Sequence, residues 1–356
     1  MTVFRSPLNP IIRPEDVKPS KPDFEVICVF NAGVACFDDE IILLMRIAER
    51  PINGNMGTSL LSVYDTKAGS LVNIEFDRYD SEIDFSDPRV IKTPDGLFLT
   101  SISHLRIARS KDGLHFDVDE NPTLYPSNEY EMYGIEDPRI TKIGEIYYIN
   151  YSAVSSMGVV TCLACSKDFR TFERIGTIFC PDNKDVAIFP DKVGGKYYAL
   201  HRPSSASFNA NDIWIAESHN LIYWGNHRFL MGRRKFYWDN GRVGASAVPF
   251  RIAEGWLEIY HGATKNHRYC LGAVLLDADE PWKVIARTDE PIIEPETDYE
   301  INGFFGNVIF SCGVLYENDI VKIYYGASDT YICYAEVPIA YIRNLLEFEP
   351  KVLINA

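Results

Sequence analysis

The sequence predicts an all-β protein whose strands repeat as β-hairpins, in the manner of a β-propeller. Three observations point there. An apolar strand, a polar turn and an aromatic strand recur six times along the chain. A second hairpin lies between copies and carries the same Ser-Lys-Asp turn twice, in IARSKDGLHF (Ile107–Phe116) and LACSKDFRTF (Leu163–Phe172). Helical periodicity is absent except for a short pattern at Ile339–Phe348. Two-hairpin units recurring roughly every 50 to 65 residues are the signature of four-stranded blades. A single sandwich gives no reason for the self-similarity.

Taken in order, the segment to Asp23 is rich in Pro and Lys (NPIIRPEDVKPSKPD) and reads as an extended arm. Such an arm offers a surface to a neighbouring subunit, so a homo-oligomer is one expectation. The six copies follow: Phe30–Ala48, Asp87–Ser103, Asp137–Ala153, Asp185–Ser204, Gly244–Ala263 and Asn307–Ser328. Each has a Gly- or Asp-containing turn between strands, which is hairpin chemistry. The chain thus divides into an arm (1–23), a repeat domain (24–338) and a helical tail (339–356). In a propeller the innermost strands aim their ends at the central axis, which makes Arg46, Arg139, His201, Arg202, His261 and Asp329 candidates by position.

Composition removes several function classes. Of 356 residues, 46% are hydrophobic and 13% aromatic, and the formal charge is −15 with no cluster of Lys and Arg. Nucleic acid and anionic membrane are therefore poor partners. No apolar run reaches the roughly 18 residues of a membrane span, and the start MTVFRSPLNP has no signal-peptide core. The expectation is a cytoplasmic protein. Eight cysteines lie mostly in apolar strands, where a reduced thiol acts as a small hydrophobe. Cys162 and Cys165 form one C-x-x-C without a second pair, so neither metal nor redox chemistry is expected.

One stretch carries chemistry. YGIEDPRIT (Tyr133–Thr141) sets Glu136 and Asp137 side by side before a rigid Pro138 and an arginine, at the entrance to the strand IYYINY. Carboxylates on a rigid strand end suit acid–base work on a neutral, hydroxyl-rich substrate. A turn closed by an Asp–Arg ion pair explains the same nine residues.

The stretch GIEDPR, together with FPDKVGGKYYALHRP (Phe189–Pro203), GWLEIYHGA (Gly255–Ala263) and YYGASDT (Tyr324–Thr330), resembles glycoside hydrolase family 130. The resemblance covers about Phe24 to Val337. It implies a five-bladed β-propeller, although six hairpin copies are counted, and an inverting β-mannoside phosphorylase, with β-mannosidases as a minority. It makes Asp137 the catalytic acid. An inverting hydrolase activates water with a second carboxylate, whereas a phosphorylase holds an anionic nucleophile with cations. By resemblance Arg202 and Arg242 bind phosphate, with Lys184, His201 and His261 as further candidates. Guanidinium forks match phosphate oxygens.

Asn31, Arg46, Asp87, Arg139 and Asp329 are expected to bind sugar hydroxyls, and Tyr133, Tyr260 and Phe305 to stack on sugar rings; as aromatics of a β protein the last three also suit a core. The start KPSKPDFEVICVFNAG is most similar to the branch acting on β-1,2-linked mannosides. No cofactor is implied beyond inorganic phosphate as co-substrate. Two other readings stay open. One is an inverting β-mannosidase using Glu258 as base, which strand alternation opposes by placing Glu258 and His261 on opposite faces. The other is a non-catalytic propeller that binds glycans or a protein.

Overall fold

The computed structural model describes residues 2–348 except 206 and 209. Strands dominate it. The only α-helices among the described residues are the single turn Asp298–Ile301 and Ile339–Leu345. The all-β expectation is met. No helix among those residues is long and apolar enough to cross a membrane.

The strands run as successive antiparallel meanders. Phe24–Phe37, Glu40–Pro51, Ile102–Ser110 and Asp117–Val118 form the first, and Gly134–Ile143, Ile146–Ser155, Gly158–Ser166 and Glu173–Phe179 the second. A parallel bridge from Gly134 to Ser103 joins these two into one eight-stranded sheet. Asn183–Ile188, Tyr197–Ser205, Ile213–Ser218 and Trp224–Met231 make the next sheet, and Arg242–Ala245, Gly255–Ala263, Tyr269–Leu276 and Val284–Thr288 the next. The last uses Ile309–Glu317, Ile320–Ala327 and Tyr331–Pro338, and takes its outer strand, Phe4–Arg5, from the N-terminal segment. That segment is not a free arm. Asn9 donates to the Tyr334 carbonyl at 2.9 Å, and Ile12 bridges Ile332. At the other end Leu346–Phe348 follows the helix and pairs with Val284–Thr288; the tail expected beyond it lies outside the described residues.

Five of the six sequence copies fall on the first two strands of a meander. Asp87–Ser103 does not: Val90–Thr93 and Gly96–Leu99 pair with each other as a separate two-stranded sheet. This hairpin and another, Thr58–Asp65 with Ser70–Asp77, occupy an insertion between Glu40–Pro51 and Ile102–Ser110. Hairpin signals are local and do not say which sheet a hairpin joins.

Neighbouring meanders pack face to face. Leu257, Ile259 and Leu271 meet Val321, Ile323 and Tyr325 in one such core, and Leu44, Leu105 and Ile107 meet Ile135 and Ile149 in another. Covered on both faces, strands such as Gly255–Ala263 and Tyr269–Leu276 are buried at every position, so they read as continuous apolar runs rather than alternating ones.

The first strands of the meanders touch each other: Phe24–Phe37 meets Gly134–Ile143 and Ile309–Glu317, and Asn183–Ile188 meets Arg242–Ala245. Three of them break register at the same place, between Phe30 and Gly33, Glu136 and Arg139, and Lys184 and Ala187. At each break one residue has a left-handed backbone: Asn31 at φ 49°, Asp137 at 50° and Asp185 at 55°. Asn and Asp tolerate that region better than other side-chain-bearing residues. A bulge re-aims the side chain it carries, and here it delivers three polar side chains to one place.

Candidate active site

These bulges open onto a cavity of about 280 Å³. On one wall Asp137 Oδ1 accepts from Asn31 Nδ2 at 2.9 Å and from an Arg46 Nη1 at 3.1 Å. Arg46 also donates to Glu136 Oε1 at 2.7 Å and to Ser103 Oγ at 3.1 Å, and its guanidinium lies 4.5 Å from the centre of the Phe30 ring. One arginine thus holds both carboxylates of the Glu-Asp-Pro-Arg motif. Burial pushes the Asp137 carboxyl up, but Arg46, Lys184 and the Asn31 amide outweigh it and hold it below the usual range.

Asp329 lines the same wall and behaves oppositely. Burial, reinforced by Asp137 and Glu136, lifts it to about 7 against Arg46 and Arg89. The two aspartates therefore have their proton affinities driven apart, as in acid–base sites.

Cations line the cavity as well. Lys184, Arg202, Arg242 and His261 line it, with Tyr269. Arg202 Nε donates to Asp185 Oδ2 at 2.6 Å, and the same buried carboxylate lies 3.6 Å from Arg139 and 3.5 Å from His261 Nε2. Burial, although opposed by Asp185, lowers His261 to about 3, and Arg202, Arg139 and Arg242 add to that. His261 is thus a neutral hydrogen-bonding group. Arg242 donates to the Tyr269 hydroxyl at 2.8 Å. Among the described residues neither Lys184 nor Arg242 has a carboxylate ion-pair partner. In a chain of net charge −15, two such cations facing one cavity make an anion site.

The remaining sequence candidates divide. Asn31, Arg46, Asp137, Lys184, Arg202, Arg242, His261, Phe305 and Asp329 line the cavity. Asp87 does not, but its carboxylate grips Arg89 at 2.8 Å, and Arg89 lines the cavity 3.9 Å from the centre of the Phe305 ring. Arg139 is turned away, donating to the carbonyls of Ser246 at 2.6 Å and Ala245 at 2.8 Å. It ties two first strands together rather than facing a ligand. His201 stacks on Phe179 with centroids 4.8 Å apart and bonds Asn183 and His227. Tyr260 donates to Asp239 at 2.9 Å within the core, and Tyr133 packs with Leu61, Val63 and Val154. Glu258 is fully buried, accepts from the Ser246 amide at 3.0 Å and does not line the cavity; burial raises its carboxyl well above the usual range against that hydrogen bond and Arg139.

Sequence reasoning missed Asp185, Arg89 and Tyr269 as site residues and named Glu136 only as half of an acidic pair. Asp185 was legible, since KDVAI sets its aspartate three residues before an isoleucine of the same strand, as EDPRI does.

A buried carboxylate pair and several cations lining one small polar cavity suit an enzyme that joins a neutral polyol to an anion. The comparisons agree, and the chain belongs to glycoside hydrolase family 130: residues 99–348 match that family, described as beta-1,4-mannooligosaccharide phosphorylase. The chain is similar to a beta-1,2-mannobiose phosphorylase of Listeria innocua, with 50% identity over 99% of this chain and all of that one. It is similar to a 1,2-beta-oligomannan phosphorylase of Thermoanaerobacter, with 43% identity over 65% of this chain and 77% of that one. The solved complex of a Listeria innocua beta-1,2-mannobiose phosphorylase with beta-1,2-mannobiose superposes with a TM-score of 0.94, at 49% identity and covering 97% of this chain and 99% of that one.

Proposed function

We propose that this chain is an inverting phosphorylase that cleaves β-1,2-linked mannobiose or manno-oligosaccharides with inorganic phosphate to give α-mannose 1-phosphate. The observation that carries the reading is the pair of carboxylate-free cations, Lys184 and Arg242, lining the same cavity as Asp137 and the Arg202–Asp185 pair. Phosphate held there attacks the anomeric carbon. The glycosidic C–O bond breaks on the far side, and the leaving oxygen takes, through Asp137 and directly or by way of a sugar hydroxyl, the proton that the Asp137–Asp329 pair keeps near neutral pH. Asn31, Arg46 and Asp329 hold hydroxyls of the mannose, and Arg89 and Phe305 wall it. Phosphate is a co-substrate and no cofactor is needed.

The meanders are read as the five blades of a propeller spanning 24–338, with Asp87–Ser103 as an insertion in the first blade. That accounts for six hairpin copies in a five-bladed ring. A cytoplasmic location suits a reaction that keeps its product as a sugar phosphate.

The hydrolase alternative needs a base on the cationic side. Glu258 is buried outside the cavity, Asp185 is taken up by Arg202 at 2.6 Å with Arg139 and His261 against it, and the charges acting on Asp329 are those around Asp137. The test is to incubate the protein with β-1,2-mannobiose with and without millimolar phosphate. Mannose 1-phosphate formed only with phosphate is expected; free mannose released equally in both reactions would replace this reading with the hydrolase.

Gly244 supplies a finer check. A Cβ there would press on Asp185 Oδ2 and on the His261 ring. Gly244→Ala is expected to displace the carboxylate that anchors Arg202 and raise KM for phosphate about tenfold or more, the equivalent of one charged hydrogen bond. KM for the saccharide should change little, as phosphate and saccharide saturation curves would show.

A further inference from the structure

Arg139 stands two residues after Asp137, is buried and does not line the cavity. Its guanidinium lies where three first strands converge. Nη1 donates to the carbonyl of Asp137 at 3.3 Å, Nε to that of Ser246 at 2.6 Å and Nη2 to that of Ala245 at 2.8 Å. The same Nη2 lies 3.6 Å from Asp185 Oδ1. These partners belong to Gly134–Ile143, to the end of Arg242–Ala245 and to Asn183–Ile188, the strands that carry Asp137, Arg242 and Lys184. Ser246 in turn sets its hydroxyl 3.3 Å from His261 Nδ1.

Charge gives the arrangement a second meaning. Asp185 Oδ2 accepts from Arg202 at 2.6 Å, so a lone Asp185 would cancel the charge that Arg202 offers to an anion. Burial pushes the Asp185 carboxyl up, but Arg202 foremost, with Arg139 and Lys184 behind it, outweighs burial and keeps it ionised. Two guanidinium groups thus share one carboxylate, one at each oxygen. The three together keep a single positive charge, and of the two arginines only Arg202 lines the cavity.

We propose that Arg139 is a positioning residue for phosphate: by taking up the charge of Asp185 it leaves that of Arg202 free for the incoming anion. The inference rests on the phosphorylase reading above. Its carbonyl contacts alone would make Arg139 a strut, and a strut is not relieved by removing a nearby carboxylate. Arg139→Gln removes the charge, whereas Arg139→Lys keeps it and loses the planar fork that spans the carbonyls. With saccharide saturating, KM for inorganic phosphate is expected to rise about tenfold or more in Arg139→Gln, the order of one lost charged interaction. In Arg139→Lys it should stay within about threefold of the wild type. KM for β-1,2-mannobiose should change less than about twofold in both. Adding Asp185→Asn to Arg139→Gln removes the carboxylate too, keeps an amide oxygen for Arg202 and restores the charge balance. The double variant should therefore show a lower phosphate KM than Arg139→Gln alone. Equal rises in the two KM values, a Lys variant as impaired as the Gln variant, or a double variant no better than the single one overturns the proposal. Where Arg139→Gln does not fold, Arg139→Lys decides: a phosphate KM within about threefold supports the charge role, and a rise of about tenfold overturns it. A wild type that cleaves β-1,2-mannobiose equally well without phosphate overturns the phosphorylase reading itself, and this role with it.

Discussion

Asp137→Asn is expected to lower kcat for phosphorolysis by about two to four orders of magnitude, the range of a lost general acid, while the protein stays folded. Asparagine keeps an oxygen that can accept from Asn31 and Arg46, which Asp137 serves at 2.9 and 3.1 Å. Arg46 also keeps its 2.7 Å ion pair with Glu136, so removing the Asp137 charge leaves no buried cation without a partner. What disappears is the proton for the leaving oxygen. A merely structural Asp137 would impair every substrate alike. Catalysis predicts instead that a mannoside with an acidic phenol as leaving group, which departs without protonation, recovers most of the lost rate. Steady-state kinetics on mannobiose and such an aryl mannoside measure the two cases. Equal losses on both would remove Asp137 from proton transfer.

How much of this was legible in the sequence follows from how local each signal is. Glu-Asp-Pro-Arg is a contiguous motif on a strand, and it led directly to Asp137. Of the cations, Arg202 stands near a strand end that a repeat architecture brings to the axis, whereas Lys184 and Arg242 came from the family resemblance. Strand-end position, however, does not say where a side chain points once a bulge has shifted the register. Arg139 sits two residues past the bulge residue Asp137 and turns to backbone carbonyls. His201 sits one residue before Arg202 and faces the opposite side of its strand, onto Phe179.

Asp185 was overlooked for a different reason. A carboxylate looks misplaced in a phosphate site until its contacts with Arg202, Arg139 and His261 show it as the anchor of the cationic wall. Arg89 was hidden in a hairpin that reads as one more copy of the repeat. Its place follows only from the tertiary path of the insertion, which no periodicity encodes.

Asp329→Asn is expected to stabilise the protein while impairing turnover, with the stabilisation growing as pH rises. Burial lifts the Asp329 carboxyl to about 7 from an ordinary 3.8. In the unfolded chain the group loses its proton near pH 4, and in the folded protein it holds that proton to about pH 7. Through that window folding requires uptake of a proton the unfolded chain has released, so this group's contribution weakens as pH rises. Above the window the whole difference is lost, on the order of 4 kcal/mol for a shift of roughly three units. Asparagine carries no such charge. The stability difference between variant and wild type should therefore be smallest near pH 4, increase to pH 7 and level off above it. Urea unfolding at several pH values measures it, and every group common to both proteins cancels in the difference. A pH-independent difference would mean that Asp329 is already ionised when folded, compensated by Arg46 and Arg89. A destabilising carboxyl in a left-handed backbone position (φ 48°), beside the proposed acid and facing a cavity, is hard to explain by folding alone. It fits a site in which the Asp137–Asp329 pair keeps one proton near neutral pH for the bound sugar.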